Sequence, residues 1–458
     1  MKSFVYRICN VFLDRFIKSW IKKYAVLIFT GLFLLIRLYV AIFHGEPESR
    51  FADGKYYNEY AVGMLTHSDW LFRDYDTFDN NRPPVYPGFV ALLYLLFGLK
   101  NYLAVYIAQA VLSAWTCYLV YRLALVTTTK QVAWLAFLWT GFYIPFLRYV
   151  TMFSRETLII LLVLLVLYYQ YLYLINNTGK KTHLLLFLGS FILLIHTDPR
   201  YLSWLLILFF PFIFLDRLWH GFRKYIVFLS LVFVCMLPWL IRNYAVYGGW
   251  VVIDTKYLDL RPEKDNENVL FFMKRSAATR TLSGNESIKP TFIKQSERDS
   301  IMKGFNPRNR SAGEIRAVLR GDAPDSTYWG RRRYMFVEFW SPVNFGKFSP
   351  LPAGTYGENS LRHNMANLIS YGILLPFLVL SVLLMFRYRD KHLIFLFLPV
   401  AFQSLIHIFS WSRERYRHPV DSLIIILAMW AVIRTFQQVR NHLISVKHAG
   451  TIRTDSGL

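Results

Sequence analysis

The chain is short of cysteine, short of acid and without an internal repeat. Its three cysteines, Cys9, Cys117 and Cys235, fall in the N-terminal segment or in apolar runs and show no metal-ligand spacing, so neither a disulfide framework nor a zinc site is implied. Acidic residues number 29 against 52 Lys and Arg, a formal net charge of +23. That excess does not mark a nucleic-acid binder. It lies largely in short connectors between apolar runs, where it sets orientation in a membrane, and no nucleic-acid-binding motif accompanies it. The missing repeat withdraws support from an inverted-repeat transporter.

Apolar surface is what the chain has in excess. Hydrophobic residues make up 55% and aromatics 18%, and the mean hydropathy is +0.31, more than a soluble core of 458 residues would hide. The sequence predicts an all-α polytopic membrane protein held together by helix packing in lipid. The first run, Tyr24 to Phe43, follows a basic leader with Arg15, Lys18, Lys22 and Lys23 and lacks a small-residue cleavage site; it reads as an uncleaved span with a cytoplasmic N-terminus. Further spans are expected at Tyr102 to Leu125, Val132 to Tyr149, Thr157 to Ile175, His183 to His196, Tyr201 to Leu215, Tyr225 to Ile241, Asn367 to Phe386, His392 to Phe409 and Val420 to Ile433. That makes about ten helices at roughly 20 residues each.

The run Val85 to Gly98 is treated differently. Counted as a span, it would put Lys180-Lys181, then Arg217, Arg223 and Lys224, then Arg387, Arg389 and Lys391 on the side of the acidic first loop, against the positive-inside rule. It is therefore expected as a short helix lying on or dipping into the outer face, entered through Pro83 and Pro84. The organisation that results is an N-terminal membrane module over 1–241 containing a first external loop at 44–101. A large external loop or lobe at 242–365 separates the seventh and eighth helices, and C-terminal helices at 366–435 precede a cytoplasmic tail at 436–458.

Outward segments carry the candidate chemistry. The first loop holds Glu46, Glu48, Asp53, Glu59, Asp69, Asp74, Asp76 and Asp79, and Asp53 stands in Phe51-Ala52-Asp53-Gly54-Lys55-Tyr56-Tyr57. Tyr56, Tyr57, Tyr60, Ala61, Met64 and Leu65 follow at nearly helical spacing, so an interfacial helix would hold Asp53 at headgroup depth, either as catalyst or as the helix cap. Arg82, in Asn81-Arg82-Pro83-Pro84-Val85-Tyr86-Pro87, offers a planar fork of donors to a phosphate or to lipid headgroups. Arg148, Arg155 and Glu156 bracket a second outward turn. A carboxylate entering a membrane is costly unless paired or solvated, so Glu156 either meets Arg155 or Arg148 or borders a wet cavity. A third turn gathers Arg413, Arg415, Arg417 and His418 on the side where the charge rule expects few cations, which points to a local anion to bind or to attraction by anionic lipid headgroups.

These residues resemble the GT-C superfamily of polytopic glycosyltransferases, in particular its protein mannosyltransferase and aminoarabinose transferase branch. The resemblance rests on the acid after the first helix with paired aromatics three residues on, and on Arg-Pro-Pro-x-Tyr-Pro before a helix ending Phe97-Gly98. It rests also on Pro238-Trp239 with Arg242-Asn243, and on Arg-Glu-Arg-Tyr-Arg-His-Pro at Arg413 to Pro419. It implies inverting transfer of a sugar from a polyprenyl-phosphate donor to a lipid, glycan or protein acceptor. The membrane would be a cytoplasmic (inner) or ER-type one, with the site on its extracytoplasmic face. It further implies Asp53 as general base, Glu156 as second acid, and Lys55, Tyr56, Tyr57, Arg82, Arg148, Arg413, Arg415, Arg417 and His418 as substrate or phosphate contacts. No cofactor is required on this reading, and the alternative is a divalent cation held by Asp53 and Glu156. The chain departs from the family pattern in having a single first-loop acid, no Trp-Trp-Asp and no large soluble domain after the last helix, which argues against a protein acceptor and against en bloc oligosaccharide transfer. The rival from another class is a transporter or flippase of a lipid-linked sugar. It would place polar groups midway along several helices, whereas here the charges crowd at one face.

Overall fold

The computed structural model describes residues 24–45, 52–66, 83–175, 181–215, 218–247, 252, 328–342, 365–409 and 414–455. In chain order the helices are α1 Tyr24–His44, α2 Ala52–Thr66, α3 Val85–Phe97, α4 Tyr102–Thr127, α5 Lys130–Gly141, α6 Ile144–Val150, α7 Glu156–Ile175 and α8 Lys181–Ile195. They continue as α9 Trp204–Phe214, α10 Leu218–Tyr247, α11 Tyr328–Trp340, α12 Leu374–Tyr388, α13 Lys391–Phe409 and α14 His418–Asp455. Short 3₁₀ turns at Pro199–Ser203 and Glu414–Tyr416 introduce α9 and α14, and there is no strand among the described residues. The chain is thus an all-α polytopic membrane protein.

Among the described residues, seven helices are long and apolar enough to cross a membrane: Tyr24–His44, Tyr102–Thr127, Glu156–Ile175, Trp219–Ala245, Met365–Tyr388, Lys391–Phe409 and His418–Ser445. Two further expected spans, His183 to His196 and Tyr201 to Leu215, correspond to the shorter apolar helices Lys181–Ile195 and Pro199–Phe214. The surface helix expected after the proline pair is α3, which is likewise too short to span.

The expected span Val132 to Tyr149 is instead broken in two. Pro145 has no N–H to offer Gly141, its partner four residues back, and its ring would crowd that carbonyl, so α5 stops at Gly141 and α6 restarts with the proline in its first turn. Lipid provides no substitute donor. Arg37 does: buried midway along α1, it donates through Nη1 to Gly141 O at 3.0 Å and through Nη2 to Thr140 O at 3.3 Å, while Nε reaches Ser113 Oγ at 2.8 Å. A cation at the exposed carbonyls of a helix C-terminus is also favoured by the helix dipole. Gly141 lets α1 come this close, since a Cβ there would fall 2.1 Å from the Phe33 ring. The single charge in the middle of α1 therefore belongs to the architecture and does not favour the transporter.

The centre of the bundle is α7. After Glu156 it runs Thr157 to Ile175 without another charge and is buried on nearly every face, packed by α4, α8 and α14. A helix apolar all round is stable only when other helices surround it. Its polar side chains act as ties: Gln170 Nε2 donates to Leu208 O of α9 at 2.8 Å, and the Tyr171 hydroxyl donates to Val126 O of α4 at 2.8 Å.

Arg37→Met is expected to leave the Gly141 carbonyl without its Arg37 donor, Thr140 O keeping the Tyr143 N–H at 3.3 Å, and to cost about 1–3 kcal/mol for the buried group left unsatisfied. The check is the midpoint of thermal unfolding in detergent, which should fall clearly for Arg37→Met and change little for substitution of the exposed Tyr39 on the same helix.

Candidate active site

The first-loop helices pack as a unit. Tyr57 of α2 meets Tyr86 of α3 edge to face, with centroids 4.8 Å apart, and the Tyr94 hydroxyl donates to Asn58 Oδ1 at 2.6 Å. The buried face of α2 is therefore Tyr57, Asn58, Tyr60 and Ala61, with Tyr56 and Met64 half-buried and Leu65 exposed. Asp53 stands one helical turn before Tyr57 in α2.

Tyr86 carries the connection inward. Its hydroxyl donates to Gln109 Oε1 of α4 at 2.8 Å, and Gln109 Nε2 lies 3.4, 3.2 and 2.8 Å from the carbonyl oxygens of Tyr149, Val150 and Met152. One buried amide thus holds the irregular turn that follows α6 and leads to Arg155 and Glu156. Thr157 adds a second tie, its hydroxyl donating to Tyr149 O at 3.1 Å. The first residue of α3 also reaches the turn after α8, where Val85 N–H donates to His196 O at 3.2 Å.

That turn holds the acid which sequence reasoning did not single out. Asp198 is completely buried, and its carboxylate takes Arg155 Nη2 at 3.2 Å and Arg200 Nε at 2.9 and 3.0 Å, with Arg200 Nη2 closer still. Arg155 Nη1 also donates to Thr197 O at 3.0 Å. Burial works to raise the Asp198 pKa, but the attraction of Arg155 and Arg200 outweighs it and holds the carboxyl well below its ordinary range. The guanidinium of Arg200 lies 4.1 Å from the centre of the Tyr416 ring, which stacks on His407 at 4.6 Å, and His407 stacks on Phe339 of α11 at 6.0 Å. The turn before Glu156, the turn His196 to Arg200 and the turn Glu414–Tyr416 therefore meet. The signal in the sequence was an acid in the short turn His196-Thr197-Asp198-Pro199-Arg200 between two apolar runs, where an unpaired charge would be too costly.

Glu156 is the contrast. Half-buried in the first turn of α7, it makes no hydrogen bond or ion pair among the described residues, because its neighbour Arg155 is turned to Asp198. The helix N-terminus favours its negative charge. Of the two expectations for Glu156, pairing with Arg155 or Arg148 is not what the structure shows.

The other expected contacts divide. Lys55 forms an exposed pair with Glu59 at 3.8 Å, and Arg148 sits half-buried in the last turn of α6. Arg415 is half-buried with its guanidinium 5.2 Å from the Tyr416 ring centre, so it borders the junction just described. Arg417 and His418 are turned inward. Arg417 has no exposed surface, donates through Nε to Asp421 Oδ1 at 3.0 Å and through Nη1 to Phe339 O at 2.9 Å and Ser341 O at 3.2 Å, and covers the Tyr371 ring at 3.4 Å. His418 Nδ1 lies 2.8 Å from Asp421 Oδ2, which also accepts the Tyr143 hydroxyl at 2.7 Å. These two basic residues anchor the start of α14 and present no open face to a ligand, a correction forced by a carboxylate one helical turn further on. The Asp53 side chain, Arg82 and Arg413 lie outside the described residues.

Beside the junction, a cavity of about 590 Å³ opens between α8 and α10, lined by Ile192, Leu193, Cys235, Pro238, Trp239 and Ile241, with His196 and Arg242 as its polar groups. Burial lowers the His196 pKa, so its ring is neutral near pH 7 and Arg242 is the cation of this cavity. Arg242 lies 5.1 Å from the Trp239 ring centre, and Trp239 meets His196 edge to face at 5.5 Å.

Asp421→Ala is expected to strand Arg417 without a counter-ion and to destabilise the protein by about 3–5 kcal/mol. Thermal unfolding in detergent reads it directly, and a stability close to the parent's would show that Arg417 does not depend on Asp421.

Residues 81–241 match the family model described as dolichyl-phosphate-mannose-protein mannosyltransferase. No curated protein matches the chain. Among solved structures, the chain is similar to the apo oligosaccharyltransferase of Archaeoglobus fulgidus, with a TM-score of 0.52, 13% identity and coverage of 94% of this chain and 52% of that one. The same enzyme, AglB, in complex with an inhibitory peptide and a dolichol-phosphate gives a TM-score of 0.53 at 13% identity, again covering 94% and 52%. ArnT from Cupriavidus metallidurans in the apo state aligns with a TM-score of 0.41 at 12% identity, covering 90% of this chain and 76% of that one. The chain spans about half the length of the archaeal enzyme it matches. The chain therefore shares its fold with the archaeal enzyme, and its segment 81–241 matches the mannosyltransferase family model.

Proposed function

We propose that the protein is a membrane glycosyltransferase that moves a sugar from a polyprenyl-phosphate donor to an acceptor hydroxyl. The observation that carries this reading is the convergence of the Asp53-bearing helix α2 with the turn that presents an unpaired Glu156. The dolichol-phosphate bound by the archaeal oligosaccharyltransferase and the description of the matched family support a lipid-linked donor. The apolar cavity beside the site, with Arg242 as its cation, supports the same chemistry: its walls suit a hydrocarbon chain and its polar end an anionic phosphate.

In the proposed reaction, Asp53 accepts the proton of the acceptor hydroxyl as that oxygen bonds to the anomeric carbon. The bond from that carbon to the phosphate oxygen breaks with inversion, and polyprenyl phosphate leaves with the electron pair. Glu156 orients the acceptor or Asp53. Arg82, Arg148, Arg413 and Arg415 are the proposed counter-charges for the departing phosphate, and Lys55, Tyr56 and Tyr57 line the approach. The reacting end is proposed to lie on the extracytoplasmic face. A divalent ion shared by Asp53 and Glu156 is the second reading, favoured by the same unpaired carboxylate, which is a hard oxygen donor. Turnover that survives chelation removes it.

Purified protein incubated with a panel of polyprenyl-phosphate sugars is expected to release polyprenyl phosphate, detected by mass spectrometry. Asp53→Asn and Glu156→Gln are expected to fold normally and to lower turnover by about 10²-fold or more. Folded protein that releases nothing from any donor would favour the transporter, and undiminished turnover in Asp53→Asn would remove that residue from the chemistry.

A further inference from the structure

Arg155 precedes Glu156 in sequence, and the two are close enough to influence each other electrostatically. Adjacent opposite charges at a half-buried site attract each other even where their side chains diverge. Here Arg155 is held elsewhere: Asp198, brought from 43 positions further along the chain, takes it at 3.2 Å, and Thr197 O accepts its other nitrogen at 3.0 Å. Asp198 is itself fixed from the opposite side by Arg200, whose guanidinium rests on Tyr416. The turn holding Asp198 is tied to α3 by Val85 N–H, so the buried carboxylate is held in place against Arg155.

We propose that Asp198 is a positioning residue for the transfer reaction: by holding Arg155 away from Glu156, it keeps the Glu156 carboxylate open to substrate. The inference rests on the reading above that Glu156 takes part in the chemistry. Asp198 touches no substrate on this account. Its effect travels through Arg155, and two carboxylates compete for one guanidinium, the buried one with two cationic partners outcompeting the half-buried one. A carboxylate captured by an arginine is a poorer proton acceptor and has fewer lone pairs for an acceptor hydroxyl. Arg148, on the helix before this turn, is the other nearby cation in sequence and has contacts of its own.

The test is a reversal. Asp198→Asn frees Arg155 to pair with Glu156 and is expected to lower kcat by about tenfold to a hundredfold, a partial loss of the usual acid–base contribution, with KM for the donor within about twofold. Adding Arg155→Gln to that variant removes the captor, and kcat is expected to return to within about threefold of Arg155→Gln alone. A residue serving only the fold would lower the thermal unfolding midpoint of Asp198→Asn and leave kcat per folded molecule within about twofold, so kcat is referred to folded protein. If the loss in Asp198→Asn is not relieved by Arg155→Gln, the inference is overturned. Arg155→Gln by itself tests it independently of whether Asp198→Asn folds: retention of kcat within about threefold supports it, while a loss as deep as that of Glu156→Gln puts Arg155 in the chemistry and overturns it. Glu156→Gln separates the two levels, since full turnover in that variant defeats the proposed role of Glu156, whereas an inactive Glu156→Gln with no reversal at Asp198 defeats this inference alone.

Discussion

A charge buried among membrane helices must be closed by protein, because lipid offers no donor, no acceptor and little dielectric screening. The described structure meets that constraint at three places, each at the end of a helix. Arg37 closes the carbonyls left open where α5 stops, Asp198 gathers Arg155 and Arg200 where α8 gives way to α9, and Asp421 binds Arg417 and His418 as α14 begins. Helix ends are where backbone groups lack partners and where charge complements the dipole, so the same residues satisfy the backbone and fix how the helices meet. Glu156 stands out because it alone of these helix-end charges is left without a direct partner among the described residues.

The accuracy of the candidate site follows from its supports being short and buried. Gln109 receives the Tyr86 hydroxyl and reaches three carbonyls of the turn before Glu156, so a helix of the first loop and a turn between two central helices are referred to one side chain. Tyr57, Tyr86 and Phe153 fill the space between them edge to face. Groups held this way need little reorganisation when substrate arrives, which is where preorganised sites gain their advantage over water. The neighbouring cavity shares His196 with this framework, and a chain occupying it would therefore sit against the turn that carries Asp198.

Much of this was legible in the order of residues. The proline pair at Pro83 and Pro84 announced a short helix, and α3 begins directly after it. The break at Pro145 was not read, although the proline was in view, because Pro211, Pro238 and Pro399 all sit inside continuous helices of the same chain. Proline in a membrane helix breaks it only where another group stabilises the freed carbonyl, and here that group is Arg37 on a helix about a hundred residues away. The clustering of acidic and basic turns at one end of the bundle was likewise anticipated from charge placement, whereas the inward turn of Arg417 and His418 was not. A run of basic residues looks the same in sequence whether it faces a ligand or a buried aspartate.

Local composition and spacing were sufficient to establish a helical membrane protein, the order of its apolar segments, the short helix after the proline pair and the turns that carry charge. Those features depend on stretches of about twenty residues, the length over which burial in lipid is decided. Which acid holds which arginine was decided only by the tertiary structure. Arg155 has Glu156 beside it in sequence and Asp198 beside it in space, and ion pairing is set by separation in space and by desolvation, neither of which the linear order records.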